Sequence, residues 1–317
     1  MTNVTRSLLS PKLWIKVLWV LVRSALLIGI CYVILYPILL KLSIAFKDWS
    51  DVTNPRVIWV PENFTLNNFK QVIAITCYGH AALNTFMLAS LTTVLQTASC
   101  ALAGYAFARL HFKGRSIVFA LVVLTIVVPP QTLMVPTYLH FRYFDVLGLI
   151  SLFTGKEGVN ILGSYWPFVL MAVTGMGLKN GLFIFIFRQV FRSIPKEIEE
   201  ASLVDGGGFF KTFYRIMLPN AIPAMITVML FSFVWQWNDT YYSSMFLTNT
   251  NILSTQLINL PATMEHYFRS QGTAYDPTYG SMLQNTYALL VIAPLIFLYL
   301  FAQRHFVEGI ERSGIVG

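Results

Sequence analysis

The sequence predicts an all-α protein that crosses a membrane several times. Of its 317 residues, 56% are hydrophobic and 11% are charged, and the mean hydropathy is +0.63. Ordinary soluble domains are much less apolar. The apolar residues form six charge-poor stretches, and about 20 apolar residues suffice for a helix to cross the hydrocarbon core of a bilayer. Because backbone groups in hydrocarbon must be paired within the chain, we expect these spans to be helices.

The predicted spans follow one another along the whole chain. They run approximately over residues 24–46, 81–108, 116–139, 164–187, 221–242 and 281–303. Only the first, through Lys41, and the fourth, through Lys179, contain a Lys or Arg residue. No change of composition marks off a soluble domain, so we expect residues 1–317 to form a single transmembrane domain.

The distribution of basic residues predicts the orientation. If the N-terminus is cytoplasmic, 14 of the 22 Lys and Arg residues lie on that side, namely Arg6, Lys12, Lys16, Arg23, Arg109, Lys113, Arg115, Arg188, Arg192, Lys196, Lys211, Arg215, Arg304 and Arg312. Cytoplasmic loops of membrane proteins are rich in Lys and Arg, so we expect both termini in the cytoplasm. This bias accounts for most of the net charge of +8, which therefore does not indicate a nucleic-acid partner.

Two of the predicted spans are interrupted. The third contains VVPPQTLMVP, in which Pro129, Pro130 and Pro136 each lack a backbone donor, and the fourth contains TGMGLKNG at residues 174–181. Broken helices occur at membrane depth where protein buries them or where water fills a cavity. The interruptions therefore favour a transport pathway over a simple membrane anchor.

The connection between the fourth and fifth spans, residues 193–219, is unusually polar. It contains the stretch EEASLVDGGGFFKTFYRIMLP. We expect a short helix here, with Ser193 as its cap, Pro195 in its first turn and acidic residues near its N-terminus, and we expect Gly206 to end it. Such a helix suits docking into a groove of another protein, and it also suits a surface link between two spans.

Motifs for catalysis and metal binding are absent from the sequence. It holds no G-x-x-x-x-G-K-[ST] phosphate loop, no H-E-x-x-H pair and no G-x-S-x-G elbow. The triplet Gly206–Gly208 lacks the Lys that follows the glycine in a phosphate loop. Cys31, Cys77 and Cys100 are odd in number and have no paired spacing. We therefore expect this chain to be no enzyme and to bind no metal or cofactor.

The polar connection carries a resemblance to a known family. Its residues Glu200, Ala201 and Ser202, then Asp205 and Gly206, then Ile216, Leu218 and Pro219, have the spacing of the EAA loop of ATP-binding-cassette importer permeases. Four further segments resemble the second permease subunit of maltose-type carbohydrate importers: GYAFARLHFKGRS, VPPQTLMVPTYL, FRQVFRSIPKEIEEASLVDGG and FVWQWND. The family usually has Ala at the position of Ser202, and it usually ends in Lys-Gly where this chain ends in Val316-Gly317.

The resemblance implies a function and a set of partners. It implies a six-span permease domain in a bacterial cytoplasmic membrane, paired with a second permease subunit. Two ATPase subunits, which hold the ATP and Mg²⁺, would receive the EAA helix in a cleft, and an external binding protein would deliver a sugar. Closure of the ATPase pair would then rock the spans between inward-open and outward-open states.

Candidate substrate residues lie on the fifth predicted span. Trp235, Asn238 and Tyr242 have a spacing that places them on one helix face, and Asp239 is adjacent. Aromatic rings and amide or carboxylate groups commonly hold sugars. The same residues would also suit an aromatic belt at the outer membrane interface, or packing.

Three polar residues at the interruptions are further candidates. Lys179 and Asn180 lie in the fourth predicted span, and Gln131 lies beside the Pro129-Pro130 break. A charge at membrane depth is costly and is a candidate functional group. Lys179 could equally pair with a partner subunit, or reach water at the helix break.

Other functions compete with sugar import. The cargo could be another solute, such as a polyamine or a peptide. A secondary transporter driven by an ion gradient would also have broken helices, but such proteins usually contain an internal repeat, and this sequence has none that we detect. A membrane enzyme would need a nucleophile, base or metal group that the sequence does not offer.

Overall fold

The computed structural model is mostly helical in the part of the chain that it describes. It describes residues 11–146, 148–155, 157–248 and 250–314, with side chains from 15 to 303 except those of residues 154 and 203. No strand forms among these residues, and the all-α prediction is confirmed. The α-helices are α1 Pro11–Ala45, α2 Trp49–Thr53, α3 Asn67–Thr76, α4 Tyr78–Arg109, α5 Arg115–Val127, α6 Met134–Arg142, α7 Leu149–Thr154, α8 Trp166–Val173, α9 Asn180–Ser193, α10 Lys196–Val204, α11 Phe209–Thr212, α12 Leu218–Asn220, α13 Ile222–Trp237, α14 Tyr241–Phe246, α15 Leu253–Ser270 and α16 Pro277–Gly314. A 3₁₀-helix, Pro130–Leu133, precedes α6, and a π-helix, Phe213–Met217, precedes α12.

Three continuous helices in the described residues are long and apolar enough to cross a membrane. They are Ile15–Ala45, Tyr78–Arg109 and Pro277–Gln303. Two bent pairs pass the same test together: Arg115–Val127 with Pro130–Arg142, bent by 104°, and Phe209–Asn220 with Ile222–Trp237, bent by 79°. The fourth predicted span is divided into α8 and α9 around residues 174–179. The count of six spans therefore stays a prediction.

Several helices have bounds that differ from those of the predicted spans. The first helix is already formed at Pro11, well before residue 24, and the fifth predicted span ends at Trp237 instead of residue 242. Ser193 is the last residue of α9, and its hydroxyl donates to the carbonyl of Val190, so it does not cap α10. The expectations for residues 1–10 and for the tail from 315 to 317 lie outside the described residues.

Buried hydrogen bonds fix the first of two compact units, residues 1–75 and 261–290. Lys41, the charge in the first predicted span, donates from Nζ to Oδ1 of Asn285 at 2.7 Å. Lys47, which is 6% exposed, donates to the carbonyls of Val57 and Ile58. The half-buried Lys41 ammonium thus gains one amide oxygen as an acceptor, and the buried Lys47 ammonium gains two carbonyl oxygens; these acceptors offset the cost of removing a charge from water.

The second unit, residues 76–260 and 291–317, is built around α4. This helix packs against α9 and α13. Their shared core includes Cys100, Tyr105, Phe183, Phe187, Phe191, Phe213, Met217, Ala221 and Val228. Six of the thirteen buried residues of this cluster are aromatic, so large side chains make many of the contacts between the helices.

Helices α4 and α9 approach each other closely at Gly104. A Cβ atom at this position would lie 2.5 Å from Cβ of Phe187 and 2.9 Å from the backbone nitrogen of Arg188. The contact involves backbone, which cannot yield as a flexible side chain can. Glycine therefore sets the spacing of these two helices.

Gly104→Ala should destabilise the protein, because the added methyl group must push α9 away from α4. Overpacking of this kind costs about 1–3 kcal/mol. The matched control is Gly79→Ala in the same helix, since a Cβ there meets nothing within 4 Å and alanine favours the helix. Thermal unfolding of the purified chain in detergent should show a lower Tm for Gly104→Ala only. Equal Tm values for the two variants would contradict the close approach.

Candidate functional site

The short helix α10 is fastened to α4 through Glu199. Oη of Tyr105 donates to Oε1 of Glu199 at 2.6 Å, and Nε of Arg109 lies 3.4 Å from Oε2. The side chain of Arg109 is only 6% exposed, and its guanidinium also donates to the carbonyl of Ile194. Glu199 therefore neutralises a buried cation and occupies a tyrosine hydroxyl at the same time. One side of α10 is fixed by charge and hydrogen bonding.

Tyr105 also joins the elements on either side of α10. Its ring, which is 1% exposed, packs against Phe191 of α9, Phe209 of α11 and Phe213 of the π-helix, at centroid distances of 5.5, 5.2 and 5.1 Å. Edge and tilted contacts of this kind contribute beyond simple burial. A single side chain of α4 thus holds the helix before α10 and the two that follow it.

The C-terminal end of α10 is a left-handed glycine turn, as the sequence predicts. Gly206 has φ +73°, and the amide of Gly207 donates to the carbonyl of Ser202 at 2.8 Å. This is the 6→1 bond of a Schellman cap. The hydroxyl of Ser202 lies 2.9 Å from that of Thr212, and both side chains are buried. The serine that departs from the family pattern therefore ties α10 to α11.

The other side of α10 is open. Glu200, Ala201, Asp205 and Gly206 are all exposed. Beside them lie three exposed apolar side chains: Val204 at 87%, Phe210 at 65% and Tyr214 at 63%. Farther along, Ile216 and Leu218 are half-buried and Pro219 is exposed. The exposed residues, with the three apolar side chains, form a mixed acidic and apolar surface; we call it the docking face.

Trp235 and Lys179 come together across α9 and α13. The ammonium of Lys179 lies 5.9 Å from the centroid of the Trp235 ring, in cation–π range. The indole is stacked between Phe183 and Phe231, with centroid distances of 5.6 and 5.5 Å. Lys179 lies at the break before α9, where its backbone has a left-handed φ of +58°. From this position its side chain reaches the Trp235 ring. Asn238, one turn beyond Trp235, is exposed.

Tyr242 does not share this helix face, and that expectation was wrong. Helix α13 ends at Trp237, and the carboxylate of Asp239 accepts from the amides of Tyr242 and Ser243 and from the Ser243 hydroxyl. These bonds cap a new helix, α14. Tyr242 instead stacks on Phe246 at 5.6 Å. Asp239 is buried and has a structural role as a cap.

Asn180 lies in a buried polar cluster that the sequence did not reveal. Gln96 of α4 donates from Nε2 to Oδ1 of Asn180 and to the carbonyl of Leu178, and its Oε1 accepts from the Ser232 hydroxyl at 2.6 Å. Gln96, Asn180 and Ser232 are each at most 3% exposed. The only sequence signal was a glutamine inside an apolar span. The cluster joins α4, the break before α9, and α13.

Gln131 lies away from that cluster. It is an exposed residue of the 3₁₀-helix between α5 and α6. Its neighbour Pro130 accepts, through its carbonyl, a bond of 3.4 Å from Oη of Tyr241. The candidate pathway residues thus divide into an exposed set, Gln131, Lys179 and Asn238, a half-buried pair, Trp235 and Tyr242, and a buried pair, Asn180 and Asp239.

Comparisons with known proteins agree with the helical architecture. Residues 101–312 match the family described as "Binding-protein-dependent transport system inner membrane component". The osmoprotective compounds uptake permease protein GgtD of Synechocystis sp. is 32% identical over 263 residues, which are 82% of this chain and 78% of that protein. The maltodextrin transport system permease protein MalD of Streptococcus pneumoniae is 30% identical over 92% of this chain and 93% of its own length.

A solved structure has the same fold. It is a chain of a bacterial ABC transporter involved in the import of the acidic polysaccharide alginate. The two chains superpose with a TM-score of 0.73 over 91% of this chain and 96% of that one, at 20% sequence identity. At this identity the likeness establishes the arrangement of helices.

Glu199→Ala should loosen α10, because it leaves the buried Arg109 cation without its carboxylate. Losing a charged hydrogen-bonding partner costs about 1–3 kcal/mol. Glu197→Ala is the matched control, since Glu197 is exposed on the same helix. Hydrogen–deuterium exchange of residues 196–204 should accelerate in the first variant alone. Unchanged exchange there would mean that Glu199 does not hold the helix.

Proposed function

The chain belongs to the family of binding-protein-dependent transport system inner membrane components, and we propose that it is the permease subunit of an ATP-driven importer of a sugar or oligosaccharide. The observation that carries this proposal is the two-sided helix α10. One side is bonded to the span α4 through Glu199, and the other presents Glu200 beside exposed apolar residues. A helix so placed can transmit the movement of a partner protein to the spans.

The partner that fits the docking face is an ATPase subunit. Exposed apolar side chains next to acidic groups are typical of a protein-binding surface. In the proposed assembly two ATPase subunits hold ATP and Mg²⁺ and receive α10 and its counterpart from a second permease subunit, with which this chain forms a heterodimer. An external sugar-binding protein supplies the cargo. The chain itself carries no step of ATP hydrolysis.

Placement in the membrane follows from this assembly. Because ATPases act in the cytoplasm, α10 faces the cytoplasmic side of a bacterial cell membrane. Both termini then lie on the same side, in accordance with the distribution of Lys and Arg. Residues 1–317 act as one transmembrane permease domain in the lipid bilayer.

A saccharide cargo is supported by the surface around Trp235. The half-buried indole, which also packs against Phe183 and Phe231, the ammonium of Lys179 and the exposed amide of Asn238 offer aromatic surface with polar donors. Similar proteins include a maltodextrin permease and an alginate importer. Because another similar protein is a permease for osmoprotective compounds, a different solute is the second candidate cargo.

Glu200→Ala and Gly206→Val should both reduce binding of the ATPase. The first removes an exposed carboxylate from the docking face. The second places a β-branched residue at φ +73°, where such residues are strongly disfavoured, and so redirects the exit of α10. We expect pull-down of the ATPase and uptake into vesicles to fall about tenfold, corresponding to roughly 1.4 kcal/mol.

The matched control for that experiment is Gly206→Asn. Asparagine tolerates a left-handed backbone, and a Cβ at position 206 meets nothing within 4 Å. It should therefore retain both ATPase binding and uptake. If Gly206→Val also retains both in full, α10 is a surface link and the proposed coupling is wrong.

Trp235→Ala and Asn238→Ala should lower sugar uptake while the assembly and its basal ATP hydrolysis persist. Loss of one stacking contact or one hydrogen bond should weaken transport by about 1–3 kcal/mol. Trp166→Ala serves as the control, because Trp166 is 61% exposed on α8 and has no place in the proposed pathway. If uptake falls equally in all three variants, or in none, Trp235 does not contact the sugar and belongs to an aromatic belt or to the packing of the helices.

A further inference from the structure

A basic cleft adjoins the docking face and shares Glu200 with it, but its cationic residues Arg115, Arg192 and Lys196 have no part in the proposed coupling mechanism. Its volume is about 480 Å³, and it is lined by Arg109, Arg115, Arg192, Lys196, Glu199 and Glu200. The four cations come from the end of α4, the start of α5, the end of α9 and the start of α10. Four separate helix ends therefore bring positive charge to one place.

The cleft has an excess of positive charge that the described residues do not balance. Four Lys or Arg side chains face two Glu side chains, which leaves a net charge of +2. Glu199 is already engaged by Arg109 and Tyr105. Within the described part of the chain, no carboxylate lies within ion-pair distance of Arg115, Arg192 or Lys196. Like charges that converge in this way repel one another unless an anion joins them.

The position of the cleft indicates what kind of anion would bind. Arg115 is the first residue of α5, and an apolar stripe begins directly after it. Ile117, Leu121 and Leu124 lie on one face of that helix and are 69%, 56% and 52% exposed. A lipid with its phosphate in the cleft could therefore lay its acyl chains along α5. A free phosphate would use only the charged half of this surface.

We propose that the cleft binds the headgroup of an anionic phospholipid. Arg side chains are suited to phosphate because their donors match its oxygens in pairs, and basic pockets between helix ends are a known setting for lipid headgroups. The phosphate would join Arg115 and Arg192 to Lys196 on α10. Lipid binding would thus stabilise the position of α10 relative to α5 and α9.

The test is native mass spectrometry of the full-length purified chain in detergent, titrated with phosphatidylglycerol or with phosphatidylcholine. Phosphatidylglycerol should bind at least tenfold more tightly. Arg115→Gln and Lys196→Gln should each weaken its binding by about tenfold, the effect of one charged hydrogen bond. Lys113→Gln is the matched control, because Lys113 is exposed two residues before Arg115 but does not line the cleft. Arg115→Lys, which keeps the charge, should restore most of the binding and show that loss is not caused by misfolding.

Three results would overturn the proposal. Equal binding of the two lipids, or equal loss in the Lys113 variant, would mean that the attraction is general and not specific to the cleft. Displacement of phosphatidylglycerol by inorganic phosphate at a similar concentration would mean that the cleft takes the free anion. Loss of the bound lipid when the ATPase subunits are added would mean that a protein partner fills the cleft. None of these measurements involves a transported solute, so the proposed import function would stand in each case.

Discussion

The buried contact between Tyr105, Arg109 and Glu199 is the constraint on which α10 and its neighbouring elements depend. A carboxylate that leaves water needs a hydrogen-bond donor or an opposite charge, and Glu199 finds both on α4: Oη of Tyr105 donates to it at 2.6 Å, and Nε of Arg109 forms an ion pair with it at 3.4 Å. The aromatic ring of Tyr105 is enclosed by α9, α11 and the π-helix. Moving α10 away from α4 would therefore expose an arginine and a tyrosine together. The short helix, marginal by itself, gains its stability from this contact.

A second set of polar contacts, made by the buried side chain of Gln96, stabilises the break before α9. The break before α9 leaves backbone groups without helical partners, and Gln96 pairs with one of them by donating to the carbonyl of Leu178; it also donates to the side chain of Asn180. Its own oxygen accepts from Ser232 on α13. Side-chain hydrogen bonds thus stabilise the break, and Lys179 extends from it toward Trp235. Broken helices in transporters are stabilised by neighbouring side chains in this manner.

Hydropathy and local turn chemistry predicted the helical class, the span that became α4, and the glycine at which α10 ends. These features depend on residues that are close in sequence. The failures arose where a distant or competing contact decides the structure. Tyr242 left the face of Trp235 because Asp239 capped a new helix, and Ser193 remained in α9 instead of capping α10.

Long-range contacts explain the other features of the structure that the sequence did not predict. Nothing in the pattern EIEE separates Glu199 from Glu200, since the difference is made by Tyr105, a residue 94 positions away. The partner of Gln96, Asn180, lies 84 positions away. Local periodicity could place these residues on helices, but it could not show which side chains meet.

The contacts together determine how a displacement of α10 would spread. Helix α10 is tied to α4 by Glu199 and leads through α11 and the π-helix into α13. The bend of 79° before α13 is the natural place for flexing, and π-helices often occur at such points. However, Phe213 at the start of the π-helix packs on Tyr105, which braces the bend against α4. Because Gln96 and Ser232 also join α4 to α13, the two helices cannot shift independently without breaking buried hydrogen bonds. A pull on α10 should therefore move both helices as one body, and Trp235, about 20 Å along α13 at 1.5 Å per residue, would move with it.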